Sequence, residues 1–272
     1  MATIPNRILE PLARVGNTTE RGVAYLGGLT LLLGQSFRHV FISPLKRNLS
    51  FKRAIHQGMA IGVGAIPVVS LITFFIGIIM ALQGAYELKR FGAIQLVVSV
   101  VAVSITRELG PLITAIVVIG RSGSAFAAEI GTMKVTEELD ALETMALHPV
   151  GFLVTPKLMA MLIMMPCLTV WADFMGILGG SVFGVTKVGF TLATYLAATR
   201  DALFLRDIVT GLIKSLVFAL VITTVGCQEG FSTGAGPEEV GRSTTAAVVT
   251  SIFLVVLVDL VFTMVFYAAN GD

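Results

Sequence analysis

Two adjacent ionisable residues, Arg107 and Glu108, interrupt a run of apolar sequence that extends from Phe91 to Gly120. A charge at bilayer depth costs several kcal/mol and is tolerated mainly where it faces a helix bundle or a water-filled cavity. Neighbouring residues of a helix point about 100° apart, so the two side chains are not expected to pair with each other. The pair therefore predicts a functional position inside a membrane domain.

A second candidate for chemistry is the segment Gly120-Arg121-Ser122-Gly123, which matches the GxSG string of intramembrane serine proteases. A nucleophilic serine needs a base, usually histidine, within hydrogen-bond reach. The three histidines are His39, His56 and His148, and the sequence predicts none of them at mid-span depth. Close packing is the preferred interpretation of Ser122, and proteolysis is kept as an alternative.

Other catalytic and cofactor motifs are absent from the sequence. It contains no GxxxxGK[ST] phosphate-binding loop and no HExxH metal motif. The two cysteines, Cys167 and Cys227, lie in apolar runs without metal-ligand spacing, which indicates packing residues. We therefore expect no cofactor and no metal in this chain.

The composition is that of an integral membrane protein. Apolar residues make up 55% of the 272 residues and charged residues only 13%, whereas soluble domains carry about a quarter charged residues. The mean hydropathy is +0.89. Eight of the Lys and Arg residues fall in the first 53 residues, against two acids there, Glu10 and Glu20. We expect a basic leader over 1–53 and one membrane domain over 54–272.

The elements that must position the charged pair are helices, and the sequence predicts an all-α membrane protein. A spanning helix needs about 20 mostly apolar residues. A shorter apolar segment at 23–34, flanked by Arg21 and Arg38, predicts an interfacial helix. Five segments reach spanning length: 60–86, 94–121, 158–185, 208–227 and 244–267.

The distribution of basic residues predicts the orientation. With the N-terminus inside, the inner segments 1–53, 121–157 and 229–242 carry twelve Lys or Arg. The outer segments 87–93 and 187–214 carry six. Since cytoplasmic loops are enriched in Lys and Arg, we expect a cytoplasmic N-terminus and an external C-terminus.

Gly176, Gly180 and Gly184 form two consecutive GxxxG steps in the third span. Small residues at this spacing let helices approach closely in lipid. Static helix packing is the preferred interpretation, and a seam that slides during transport is the alternative.

An acidic segment at 136–145 joins the second and third spans and predicts a short helix. Thr136 is expected to cap its N-terminus, where acidic residues suit the positive end of the helix dipole. Leu139, Leu142 and Met145 recur at three-residue spacing. The acidic side chains are left to solvent or to a partner: Glu137, Glu138, Asp140 and Glu143.

Four blocks of the sequence resemble the MlaE (YrbE) permeases, the membrane subunits of ABC transporters that move lipids together with MCE-domain proteins. The first two blocks are LQGAYELKRFGA at 82–93 and RELGPLITAIVVIGRSGSAFAAEIGTMKVTEELDALETMALHP at 107–149. The others are KSLVFALVITTVGCQEG at 214–230 and VGRSTTAAVVTSIFLVVLVD at 240–259.

The resemblance implies a fold and a set of partners. The fold is an interfacial helix plus five spans, dimerised around a lipid cavity that opens to the periplasm, in the bacterial inner membrane. The partners are an ABC ATPase that binds ATP and Mg, a ring of MCE-domain protein and a small STAS-domain subunit, with no nucleic acid. The acidic helix resembles the coupling helix that docks on the ATPase, which makes contact candidates of Glu137, Glu138, Asp140, Leu142 and Glu143.

The resemblance also implies the function, which is ATP-driven movement of phospholipid between the inner membrane and the MCE protein, in support of outer-membrane lipid asymmetry. Arg107 and Glu108 lie near the cavity, where one is expected to meet a headgroup or the partner ring while the other pairs with a neighbouring span. Asp173, Lys214 and Asp259 are expected to form interhelical pairs. The apolar cavity wall is assigned to the first span: Phe75, Ile78, Ile79, Leu82 and Ala85.

A secondary transporter that works without ATP is a further alternative. That class often shows internal repeats and broken helices. The sequence shows no convincing repeat between its halves.

Overall fold

A computed structural model describes residues 20, 22–38 and 47–270. This part of the chain is helical and without strands, and five of its helices are long and apolar enough to cross a membrane. The all-α membrane fold class is therefore confirmed. The helices are α1 (22–38), α2 (Arg47–Arg90), α3 (Ile94–Val135), α4 (Glu138–Thr144), α5 (Val150–Val188), α6 (Leu192–Ala202), α7 (Leu205–Ser232) and α8 (Pro237–Asn270).

The spanning helices are longer than the apolar runs that predict them. Helix α2 has 44 residues, which at 1.5 Å per residue makes it about 66 Å long, whereas the hydrocarbon core is about 30 Å thick. The predicted run 60–86 lies inside it. An apolar run marks only the part of a helix that lipid covers. The helix itself continues into the polar flanking residues, because its backbone hydrogen bonds do not depend on apolar side chains.

The bundle has two ends, which we name after the short helices. At the α4 end, α2, α5 and α8 begin and α3 and α7 finish. Arg53 donates to the carbonyl oxygen of Phe152 at 3.2 Å, and Lys134 donates to that of Phe231 at 2.6 Å. At the α6 end, the first turns of α3 lie beside α6, where Gln95, Ser99 and Thr194 line a shared cleft.

Glycines let α2 and α5 pack side by side in parallel. A Cβ on Gly77 would overlap the carbonyl of Gly176, and a Cβ on Gly179 would overlap the backbone of Phe74. Gly180 and Gly184 lie against Tyr195 of α6 instead, with a Cβ placed 2.7 Å from the hydroxyl and 3.0 Å from the ring. The predicted row of Gly176, Gly180 and Gly184 therefore contacts two different helices. Gly176 packs against α2 together with Gly179, which is outside the predicted row.

Helix α3 contains two π-helical turns, Ile105–Leu109 and Ile119–Gly123. In the first, the backbone N–H of Gly110 donates to the carbonyl of Ile105, five residues back. Pro111 follows and has no N–H to offer to the preceding turn, which favours this local widening. Such π-turns occur frequently at functional sites, and this one carries Arg107 and Glu108.

Candidate functional site

Lys214 of α7 is the centre of an ionic network between three helices. Its side chain is 0% exposed, and its ammonium forms ion pairs with Glu108 of α3 and, at 2.9 Å, with Asp259 of α8. It also donates to the hydroxyl of Thr263 at 3.0 Å. A buried ammonium is tolerated only when carboxylates and further hydrogen bonds satisfy it. These contacts tie α3, α7 and α8 together within the span.

Arg107 forms the second half of the site. Its Nε lies 3.4 Å from Oδ1 of Asp207, near the start of α7. The other oxygen of Asp207 accepts the backbone N–H of Phe204 at 3.1 Å, which holds the carboxylate at the helix N-terminus. Arg107 thus has a fixed partner on one edge of its guanidinium and further N–H donors to present elsewhere.

The two neighbours do not pair with each other, since Arg107 contacts Asp207 and Glu108 contacts Lys214. We expected one of them to pair with a neighbouring span, and both form such a pair. Sequence reasoning did not assign Asp207 or Thr263 to the site. The isolated acid at the start of the α7 run was a usable signal for Asp207, whereas a threonine among apolar residues was not.

The network stays partly open to its surroundings. The side chains of Arg107 and Glu108 are 34% and 37% exposed, while Lys214 is sealed. With Asp207 and Asp259, the site counts two cations and three carboxylates by formal charge. The arrangement can therefore anchor three helices and still offer the Arg107 donors to an anionic group.

Asp173 differs from the other isolated charges. Lys214 and Asp259 form the interhelical pair that we expected. The Oδ1 atom of Asp173 is buried and has no hydrogen-bond partner within the described residues. It lies against Gly110, where a Cβ would overlap it, so the glycine makes room for the carboxylate.

The apolar face assigned to the first span divides into two sides. Phe75, Ile79 and Leu82 are about half exposed, and Ile78 is partly buried. Ala85 is only 7% exposed because it packs with Val97 and its neighbours on α3. The exposed row continues instead through Tyr86, which is 68% exposed.

Helix α4 presents an acidic outer face. Glu137, Glu138, Asp140 and Glu143 are exposed, while Leu142 is buried with Leu139 against the bundle. Leu142 is thus turned away from the side that a partner would meet.

The expected cap of α4 by Thr136 is wrong. The residue before the helix is Glu137, which has a left-handed backbone with φ 61° and makes no side-chain cap. The hydroxyl of Thr136 donates to the carbonyl of Thr132 at 3.0 Å instead. Thr136 and Glu137 form a turn between α3 and α4, and the hydrogen bonds of Thr136 attach it to the end of α3 rather than to the start of α4.

The geometry does not bring a protease site together. Ser122 is buried on α3, whereas His56 on α2 and His148 before α5 are exposed. His39 lies outside the described residues. Within the described residues no cluster of three or more His, Cys, Asp or Glu side chains is placed to hold a metal ion.

Long apolar helices joined by a buried ionic network define a polytopic helical membrane protein. Residues 54–265 match the family described as Permease MlaE, and the chain belongs to this family. The resemblance found in the sequence is thereby confirmed.

Named relatives cover most of the chain. A probable ABC transporter permease protein of Rickettsia bellii is 40% identical over 89% of this chain and 96% of its own length. The intermembrane phospholipid transport system permease protein MlaE of Haemophilus influenzae is 34% identical over 81% and 85%. The chloroplastic protein TRIGALACTOSYLDIACYLGLYCEROL 1 of Arabidopsis thaliana is 34% identical over 86% and 67%.

Proposed function

We propose that this chain is the permease subunit of an ATP-driven transporter that moves phospholipid between the inner membrane and an MCE-domain protein in the periplasm, and so helps to maintain outer-membrane lipid asymmetry. The observation that carries the proposal is the half-open ionic site around Arg107 and Lys214 inside an apolar bundle. The relative from Haemophilus influenzae, named for phospholipid transport, supports the choice of cargo.

Two copies of the chain would enclose the lipid. Phe75, Ile79 and Leu82 supply an apolar wall for acyl chains because they are half exposed on a spanning helix. Arg107 supplies N–H donors for a phosphate, since only one edge of its guanidinium is engaged by Asp207. Cytoplasmic placement of the N-terminus would put this site toward the periplasmic half and α4 in the cytosol.

The energy for transport would come from a separate ATPase chain that binds ATP and Mg. The acidic outer face of α4, with Asp140 and Glu143 exposed, suits a groove lined by basic residues on that subunit. Movement of α4 would pass to the bundle through the buried Leu139 and Leu142. Nucleotide state and lipid affinity are then thermodynamically linked. An MCE-domain ring and a small STAS-domain subunit would complete the assembly.

Reconstitution tests this function. The permease, its ATPase and an MCE-domain acceptor are assembled in liposomes, and transfer of labelled phospholipid is followed with and without ATP. We expect ATP-dependent transfer that falls at least tenfold in Arg107→Ala, while assembly is retained. Arg200→Ala, at an exposed arginine of α6 near the same end, is the matched control and should transfer normally.

Transfer that proceeds equally well without ATP would assign the chain to secondary transport. Ser122→Ala tests the alternative of an intramembrane serine protease. The substitution would abolish proteolysis by Ser122, whereas a permease would continue to transfer lipid.

A further inference from the structure

Arg121 lies at the second π-helical turn of α3 and is not used by the ionic site. Its guanidinium rests on the backbone of Gly64 in α2, where a Cβ would overlap both terminal nitrogens. A side chain as small as alanine at position 64 would displace the guanidinium. The missing side chain at Gly64 thus leaves the space on α2 that the Arg121 guanidinium occupies.

The guanidinium of Arg121 makes no ion pair or hydrogen bond with the residues whose side chains the structure describes, 20, 22–38 and 52–268. Arg107, Lys157 and Lys214 are each paired with a carboxylate. The Arg121 side chain is exposed, and nothing lies within 4 Å of a Cβ built on neighbouring Gly120. The structure therefore holds a cation at a fixed position with open space beside it.

The position of Arg121 along α3 indicates how deep in the bilayer the guanidinium lies, and therefore which ligands can reach it. It ends the apolar run of α3, and Gly64 lies just inside the beginning of the apolar run of α2. The Glu129–Lys157 pair is eight residues farther toward the α4 end, about 12 Å along the axis, and Arg107 is fourteen residues away in the other direction, about 21 Å. This places Arg121 near the edge of the hydrocarbon core, where the phosphates of one leaflet lie.

We propose that Arg121 binds the phosphate of a phospholipid in the leaflet on the α4 side, with its guanidinium oriented by Gly64. A guanidinium presents paired N–H donors that match two phosphate oxygens. The space beside Gly120 is open to 4 Å, so a headgroup can approach the charge from that side. This second lipid position rests on the proposed function, which supplies phospholipid as the cargo, and it lies far from Arg107 on the same helix.

Equilibrium binding to the purified full-length chain in detergent tests the proposal. Dioleoyl phosphatidylglycerol is titrated and retention is read by native mass spectrometry, with dioleoylglycerol as the phosphate-free probe. Arg121→Gln should weaken phosphatidylglycerol binding about tenfold, the loss expected for a charge-assisted hydrogen bond, and leave dioleoylglycerol unchanged. Arg121→Lys should lie between wild type and Arg121→Gln.

Two further variants separate position from charge. Gly64→Ala keeps the charge and favours the helix, yet should weaken phosphatidylglycerol binding severalfold because it moves the guanidinium. Arg242→Gln removes an exposed arginine at the α4 end that already pairs with Glu239 at 2.8 Å, and should bind the lipid like wild type.

Wild-type retention of phosphatidylglycerol by Arg121→Gln would overturn the proposal. Displacement of the lipid by millimolar inorganic phosphate would assign the site to free phosphate and overturn the choice of a lipid. Loss of the dimer in Arg121→Gln with lipid binding intact would assign the arginine to a second copy. Because these measurements need no ATP, failure of the proposed transport appears separately, as absence of ATP-dependent transfer by the wild-type assembly.

Discussion

Lys214 and Asp259 lie 2.9 Å apart across α7 and α8, and the same ammonium holds Glu108 of α3. One sealed cation therefore satisfies carboxylates from two other helices. Removing the cation leaves both carboxylates uncompensated, whereas removing all three charges leaves neutral side chains with no unpaired charge.

Lys214→Met should accordingly destabilise the protein by about 3–5 kcal/mol, the range measured when one partner of a buried pair is lost. Thermal unfolding in detergent, followed by circular dichroism, measures the effect. The triple variant Lys214→Met, Glu108→Gln, Asp259→Asn should recover much of the loss. Lys89→Met, at an exposed position, is the control, and an unchanged melting temperature in Lys214→Met would show that the network is dispensable for stability.

Gly77→Ala should separate α2 from α5, because the added Cβ overlaps the backbone of Gly176, which cannot rotate away. Overpacking of this kind costs about 1–3 kcal/mol. Gly241→Ala is the matched control, since nothing lies within 4 Å of its Cβ. The melting temperatures of the two variants are compared. Equal values would show that α2 and α5 accommodate the added Cβ without loss of stability.

The acidic face of α4 should govern docking of the ATPase, and its buried face should govern folding. Asp140→Asn with Glu143→Gln is expected to weaken ATPase binding about tenfold while leaving the melting temperature unchanged, since both side chains are exposed. Leu142→Ala is expected to lower stability by about 2–5 kcal/mol, because it opens a cavity under the helix. Affinity by surface-immobilised titration and unfolding scans distinguish the two. Wild-type ATPase affinity in the double variant would remove α4 from the docking surface.

Tyr195 of α6 should make the stability of the bundle fall at alkaline pH. Burial raises the pKa of Tyr195 to about 12, compared with about 10 for an exposed tyrosine. The folded state holds the phenolic proton more tightly than the unfolded state, so stability is full below pH of about 10 and decreases as the pH rises toward 12.

Tyr195→Phe should remove this alkaline step and cost little at neutral pH. The hydroxyl is buried and has no hydrogen-bond partner within the described residues, so its removal leaves no new unpaired group. Chemical unfolding between pH 8 and roughly pH 11 measures both proteins. A step of the same size in the variant would assign the pH dependence to another group.

Tyr25 shows how α1 is attached to the bundle. Its hydroxyl donates to Oε1 of Glu229 at 2.8 Å, and a Cβ on Gly28 would contact the side chain of Gln228 at 2.7 Å. Burial, together with the Glu229 carboxylate, raises the pKa of Tyr25 above the usual value of about 10, so the phenol keeps its proton and its hydrogen bond well into the alkaline range. The interfacial segment predicted at 23–34 is thus helical and fixed to the end of α7.

The sequence by itself determined the class of protein, the number of spans and the family. Apolar runs of sufficient length, broken only by isolated charges, leave a bilayer as the only solvent that suits them, so 94–121 and 208–227 could be recognised without any knowledge of their neighbours. The charges at Arg107, Glu108 and Lys214 were also visible, because each interrupts such a run.

Only the tertiary structure decided which face of each helix meets which neighbour. Nearly every residue of the span 60–86 is apolar, so the sequence could not show that Ala85 packs against α3 while Tyr86 is exposed. The π-turn at Ile105–Leu109 adds a residue to one turn and shifts the phase of all that follows, which no regular 3.6-residue count anticipates. The pairing of Arg107 with Asp207 and the division of the glycine row between α2 and Tyr195 depend on helices brought together from distant parts of the chain.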